Sequence, residues 1–270
     1  MSCGNAPLLC VAANQSFAAW GDPTFRTQAI AAGNRSSTRS QTSKGAGDQA
    51  LDLDALASPA DSGLRYADIP PLPETRDELL AIAKILKSDP ARDVYLGARA
   101  TRDSVLAASR DGSLQNKRVI AFATHGLMAG DLPHLTQPAL ALAVTDNAAQ
   151  NPLTPLLTLE DVLSLKLNAD WVVLSACNTA SGDGRGEEAL SGLARGFFYA
   201  GSRSLLVTHW AVESESAKLL TTSTFAHYAA NPQAPKAESL RQAMLKVMAI
   251  PKYAHPAFWA PYALVGDSAR

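Results

Sequence analysis

Three cysteines in 270 residues, Cys3, Cys10 and Cys177, are too few and too odd in number for a disulfide framework or a zinc site. They suit a reducing compartment. The chain also lacks an apolar run of the ~20 residues that span a bilayer. It does not open with a basic stretch leading into a long apolar one, as a secretory signal would. The expected location is therefore the cytoplasm, with no membrane partner. Neither sign of charge dominates: 24 basic and 25 acidic residues leave a net charge of −1. Direct nucleic-acid binding would require a clustered basic face. The densest basic stretch, residues 35–44, is diluted by Ser and Thr and reads as a solvated loop. No phosphate loop and no dinucleotide fingerprint occur, which leaves a small-molecule hydrolase without support. No internal repeat is found.

What is present is enough apolar material, 47% of the residues, for one large α/β domain or two small ones. An apolar run over residues 8–13 reads as a buried strand, and its abrupt position suggests a domain taken from a longer chain. Residues 33–47, rich in Ser, Thr, Gly and Arg, are expected to form a mobile loop. The prolines of residues 69–73 impose extended backbone before a helix that opens at Glu74. A short strand follows at 94–96, then a helix from an N-cap at Thr101 through Ala108. Strands are expected at 118–123, 139–144, 171–176, 204–208 and 258–265. Helices are expected at 159–165, capped near Thr158, at 186–200, closed by Gly201, and at 214–228 and 237–248. Strands alternating with helices predict an α/β fold: a mostly parallel central sheet with helices on both faces.

Ligands of such sheets bind beyond the carboxyl ends of the strands. Two reactive side chains fall there: His125 just past the 118–123 strand, and Cys177 just past the 171–176 strand. A cysteine attacks as its thiolate, and a nearby histidine supplies the base and then protonates the leaving amine. The backbone N–H groups of Gly126 and Cys177 are candidate oxyanion donors. The glycine-rich stretch 181–186, which includes Asp183, leaves room for an extended substrate. Each residue also has a plain structural reading: a cysteine at a strand end is commonly a small buried hydrophobe, and His-Gly a turn. Among the other histidines, His227 lies inside a helix and His255 precedes a proline, so both read as structural. His209, which follows a strand, is the competitor of His125 for the base. Cys3 and Cys10 have no glycine-rich loop beside them and read as inert.

Ala123-Thr124-His125-Gly126 resembles the His-Gly motif of CHAT domains, caspase and separase relatives often attached to tetratricopeptide repeats. The run Val172-Val173-Leu174-Ser175-Ala176-Cys177-Asn178-Thr179 resembles their L-S-A-C-x-T signature. Gly192-Leu193-Ala194-Arg195-Gly196-Phe197 is similar to the helix that follows, and His209-Trp210-Ala211-Val212 to their L-W-x-V segment, with His209 where leucine is usual. Residues 255–260 and 264–267 resemble the closing strand of the family. The resemblance covers nearly the whole chain and is weakest over residues 18–66.

It implies a single caspase-like domain over residues 1–270 and a cysteine endopeptidase with a Cys177–His125 dyad that needs no metal and no organic cofactor. A protein or peptide substrate is implied, with a regulatory repeat or sensor region outside this chain as a further partner. In the family, acidic residues after the L-W-x-V valine line the pocket for the side chain before the cut bond. The matching positions are Glu213 and Ser214, with Glu215 next and Asp183 a further acidic candidate. An acid there favours a basic substrate side chain. The alternative for Glu213 and Glu215 is service at a helix start. The alternative for the chain is the same fold as a catalytically silent interaction module.

Overall fold

The strands that carry the core are apolar on both faces because both faces are covered. In β3 (Val119–Ala123), Val119, Ala121 and Ala123 enter one hydrophobic cluster, while Ile120 and Phe122 enter another. The same alternation splits β1 (Phe17–Pro23) and β7 (Trp171–Leu174). This is the continuous apolar pattern of a sheet between two helical layers. The computed structural model describes residues 16–26, 65–145, 154–175, 185–210 and 212–269.

The central sheet has six strands in the order β2-β1-β3-β7-β8-β9, with β2 at Val94–Gly97, β8 at Ser204–Thr208 and β9 at Tyr262–Gly266. All neighbours are parallel except β9, which runs antiparallel to β8. One face is covered by α1 (Glu74–Ile85), α6 (Ser214–Ala230) and α7 (Lys236–Met248). Here Trp171 meets Phe225 and Tyr228 edge to face, with ring centroids 5.4 and 5.5 Å apart. The other face is covered by α3 (Arg102–Arg110), α4 (Leu159–Ser164) and α5 (Arg185–Ala200), where Phe122 packs on Phe197. A single helical turn, α2 (Pro90–Asp93), leads into β2. Each large apolar side chain fully buried in these layers contributes roughly 1.5–3 kcal/mol.

Local chemistry explains the helix ends. The Thr101 hydroxyl accepts from the Ser104 N–H to start α3. Thr158 and Asp161 form a reciprocal capping box at the head of α4. Gly201 closes α5 with φ of +111°, and a Cβ there would lie 2.4 Å from the Leu167 carbonyl oxygen. Close approach also decides Gly196, where a Cβ would meet Leu159 Cδ1 at 2.8 Å; its absence lets α4 nest against α5. The buried threonines of α6 spend their hydroxyls on the preceding turn, as Thr221 and Thr224 do on the Ala217 and Leu220 carbonyls.

A second, antiparallel sheet of β4 (Gly126–Leu127), β5 (Ala139–Ala141) and β6 (Leu156–Thr158) lies against the chain that leaves β3. It has its own small core with Phe25, Ile69, Leu132 and Leu135.

The helices expected from sequence are all present among the described residues, and the 204–208 strand has its expected bounds. Three expectations are corrected. The strand expected over 139–144 ends at Ala141. The last strand begins at Tyr262 rather than 258, because Pro256 starts a 3-10 turn, Pro256–Phe258, and Pro261 has no N–H for a ladder. The strand expected to end at 176 is described to Leu174. β1, β4 and β6 were not anticipated. The run at 8–13 and the loop at 33–47 lie outside the described residues.

Candidate functional site

The parallel pairing of β3 with β7 sets Ile120 beside Val172 and Phe122 beside Leu174. Both strands therefore deliver their chain to the same edge of the sheet. At that edge the Ser175 N–H still donates to the Phe122 carbonyl at 3.0 Å, so the two strands remain locked together one residue past β7.

His125 sits two residues beyond β3 and is buried, 8% exposed. Its main chain is held by β5: the Ala141 N–H donates to the His125 carbonyl at 2.9 Å, and the Thr124 hydroxyl donates to the Ala141 carbonyl. Its ring lies 5.7 Å from that of Phe25. Its Nε2 stands 2.9 Å from the Pro70 carbonyl oxygen, in the proline segment that precedes α1. A carbonyl only accepts, so Nε2 carries the proton and Nδ1 is the basic nitrogen of the neutral ring. Residues 69–73 thus do more than start a helix: they set the tautomer of His125.

Gly126 pairs with Leu140. The hydrogen bond from Ala141 N–H to the His125 carbonyl on one side of that pair makes Gly126–Leu140 a non-hydrogen-bonded pair of the antiparallel ladder. The Gly126 N–H is accordingly directed away from β5.

The other histidines separate clearly. His227 pairs through Nδ1 with the Ser239 hydroxyl at 3.1 Å, between α6 and α7. His255 Nδ1 accepts from the Ala257 N–H at the start of its 3-10 turn. Both are structural, as the sequence suggests. His209 is exposed just past β8, at the same edge of the sheet, with its N–H on the Pro261 carbonyl at 3.0 Å.

Glu213 is the N-cap of α6: its Oε2 accepts from the Ser216 N–H at 2.8 Å. Glu215 accepts from the Tyr253 hydroxyl at 2.8 Å and from Lys252 Nζ at 3.2 Å. Those two donors, Tyr253 first, hold its carboxyl below the usual carboxylate range. Glu213 therefore has the helix-start duty that was the alternative reading, whereas Glu215, though in the first turn, is bound to Tyr253 and Lys252. Cys177 and Asp183 lie outside the described residues.

The edge also contains a residue that the sequence reading passed over. Glu78 of α1 is 4% exposed, faces the hydroxyls of Ser175 and Thr221, and has no hydrogen-bond partner for Oε1. Burial pushes its carboxyl up to about 7. Its signal was available: Thr75, Glu78, Leu79, Ile82 and Ala83 form the buried stripe of α1, so a carboxylate stands where an apolar side chain is expected.

The family model of the CHAT domain matches residues 11–267, nearly the whole chain. The chain belongs to the CHAT domain family. The six-stranded, largely parallel sheet between two helical layers is the caspase-like fold that membership implies. Among curated relatives, tetratricopeptide repeat protein 28 of Mus musculus is 28% identical over 227 residues, which is 74% of this chain and 9% of that protein. The Homo sapiens protein of the same name is 25% identical over 226 residues, with the same shares. This CHAT domain thus spans about a tenth of the length of the curated relatives it matches, and those relatives carry tetratricopeptide repeats in their name. Among its described residues, no helix is long and apolar enough to cross a membrane.

Proposed function

We propose that this CHAT domain is a cysteine endopeptidase that cuts a protein partner, with Cys177 as nucleophile and His125 as general base. The observation that carries the reading is the parallel, in-register pairing of β3 and β7. It brings the chain to one sheet edge at Thr124 and at Ser175. His125 follows the first directly, and Cys177 is two residues beyond the second, within about 7 Å of reach.

The chemistry follows from the described groups. Nδ1 of His125 takes the thiol proton while Nε2–H stays on Pro70. The thiolate attacks the scissile carbonyl, and the Gly126 N–H, turned away from β5, stabilises the oxyanion with the N–H of Cys177. The His125 imidazolium, steadied by the Pro70 carbonyl, then protonates the leaving amine, and water releases the acyl group. No cofactor enters these steps.

The acidic wall of the substrate pocket is assigned to Glu213, then to Glu215 and Asp183, with a preference for a basic side chain before the cut bond. The Glu213 cap uses Oε2, and in this reading Oε1 would meet the substrate side chain. Control by a repeat-rich or sensor region outside this chain, in the cytoplasm, fits the relatives' tetratricopeptide repeats. A silent module of the same fold is the second reading, favoured by the burial of His125 under Phe25.

Intact-mass detection of products from a peptide library separates the two readings. Cleavage by wild type with loss in Cys177→Ala and His125→Ala is the expected result. Either variant retaining more than about a hundredth of wild-type turnover would overturn the dyad, since such residues act as a unit.

A further inference from the structure

The small core beside β4 and β5 draws on chain segments far apart in sequence, and two of them converge on His125. Phe25, two residues past β1, is 4% exposed, and its ring centroid lies 5.7 Å from that of His125. Tyr66 meets Phe25 edge to face at 5.8 Å and donates its hydroxyl to the Leu142 carbonyl, just past β5. Arg26 Nε donates to the Ala67 carbonyl at 2.6 Å, which ties the two segments to each other. Ile69 is buried in the same small core, and the next residue, Pro70, holds His125 Nε2 at 2.9 Å. Phe25 therefore serves both ends of the His125–Pro70 bond. It packs against the imidazole, and it shares a core with the residue that precedes the carbonyl.

The rest of His125 is already fixed. β5 holds its main chain through the Ala141 N–H and, beside it, the Thr124 hydroxyl. Only the side-chain torsions remain, and the outer one is broad and roughly two-fold for histidine. A half-turn about it would put Cε1 where Nε2 now stands and leave the Pro70 carbonyl without its donor. Water reaching that carbonyl would compete for it as well. A second ring packed against the imidazole opposes the half-turn, and burial keeps water from the bond and strengthens it.

We infer that Phe25, backed by Tyr66, is a positioning residue for the general base: it holds the His125 imidazole on the Pro70 carbonyl and so keeps Nδ1 as the basic nitrogen. The inference rests on His125 being the base proposed above. Tyr66 acts one step further out, because its hydroxyl anchors the 65–70 segment to β5 while its ring closes over Phe25.

The test reads the histidine without substrate. Long-range 15N–1H NMR at about pH 8, where an ordinary imidazole is neutral, gives the tautomer of each of the five histidines, and H125A assigns the His125 signals. Wild-type His125 should be a single Nε2–H tautomer. In F25A at least about a fifth of it should pass to the Nδ1–H form, with His227 and His255 unchanged. F25L, which refills much of the space, should recover about half of that loss. Y66F, which keeps the ring and loses the tether, should show at least about a tenth. On any peptide the wild type cleaves, F25A should lower kcat about tenfold with KM within about twofold, and F25L should lie between. If F25A does not fold by circular dichroism, F25L and Y66F decide alone. A single Nε2–H tautomer in every folded variant overturns the inference, as does a wild type already in the Nδ1–H form. A wild type that cleaves nothing while the variants shift the tautomer sinks the peptidase reading and leaves the positioning of His125 standing. Cys177-dependent cleavage with an unshifted His125 in every variant does the reverse.

Discussion

Glu78→Gln should make this domain resist denaturation better at alkaline than at acid pH, relative to wild type. The carboxyl is held up to about 7 in the fold, against an ordinary value of 4.5. Between those values the folded state binds more protons than the unfolded chain, so stability falls as pH rises. The contribution of the neutral acid is whole below about pH 4.5 and is lost once pH passes about 7. The full loss amounts to about 3 kcal/mol, of which about 2–3 kcal/mol falls between pH 5 and pH 8. A glutamine keeps the shape and a donor but does not titrate. Urea unfolding of both proteins at pH 5 and pH 8 isolates the effect, because every other titrating group cancels in the difference. The stability of the glutamine variant relative to wild type should rise by about 2–3 kcal/mol from pH 5 to pH 8. A difference that stays constant within about 0.5 kcal/mol would show that Glu78 ionises normally, and the argument from its burial would be wrong.

Two further perturbations test how the fold is held. Gly201→Ala should cost at least about 2 kcal/mol in urea unfolding, because a Cβ would meet the Leu167 carbonyl at 2.4 Å on a backbone with φ of +111°; an unchanged midpoint refutes the close approach. Asp161→Asn removes a bidentate pair with Arg102, at 2.6 and 2.8 Å, and weakens the α4 capping box. Burial works against the Asp161 charge, yet Arg102 and Thr158 outweigh it and depress the carboxyl. The substitution should therefore cost about 1–2 kcal/mol at pH 7, allowing for the partly exposed Arg102. The difference from wild type should shrink as pH falls below about 4, since a depressed carboxylate loses its stabilising role on protonation. A cost that does not vary with pH would assign the effect to the amide alone.

Elements were legible where several local signals agreed. β8 centres on the apolar run Leu205-Leu206-Val207 after the helix-closing Gly201, and α4 begins with a capping threonine followed by Asp161. β1 was missed because its Phe-Ala-Ala-Trp-Gly-Asp-Pro carries no β-branched residue and ends in turn formers. Its strand character comes from its neighbours: it pairs with β2 and β3, and Gly21 has no Cβ to strike Leu79 Cδ1, 2.5 Å away. β4 and β6, two and three residues long, are too short for any period to register.

The site divides in the same way. The position of His125 and Gly126 just past β3 could be read from sequence because a strand followed by a His-Gly pair is a local pattern. The bond between His125 Nε2 and the Pro70 carbonyl could not, since it spans 55 residues and appears only once α1 is docked on β1. Glu78 lies between these cases. Its identity within the apolar stripe of α1 was plain, but a charge on such a stripe acquires meaning only from what the stripe faces. Here it faces the hydroxyls of Thr221 on α6 and of Ser175 at the end of β7, and burial pushes its carboxyl up to about 7. In a sheet whose parallel strands all discharge at one edge, a helix that covers the face also reaches the edge. A buried polar residue on that helix, four positions from its first residue, is therefore well placed to meet the site as well as the core.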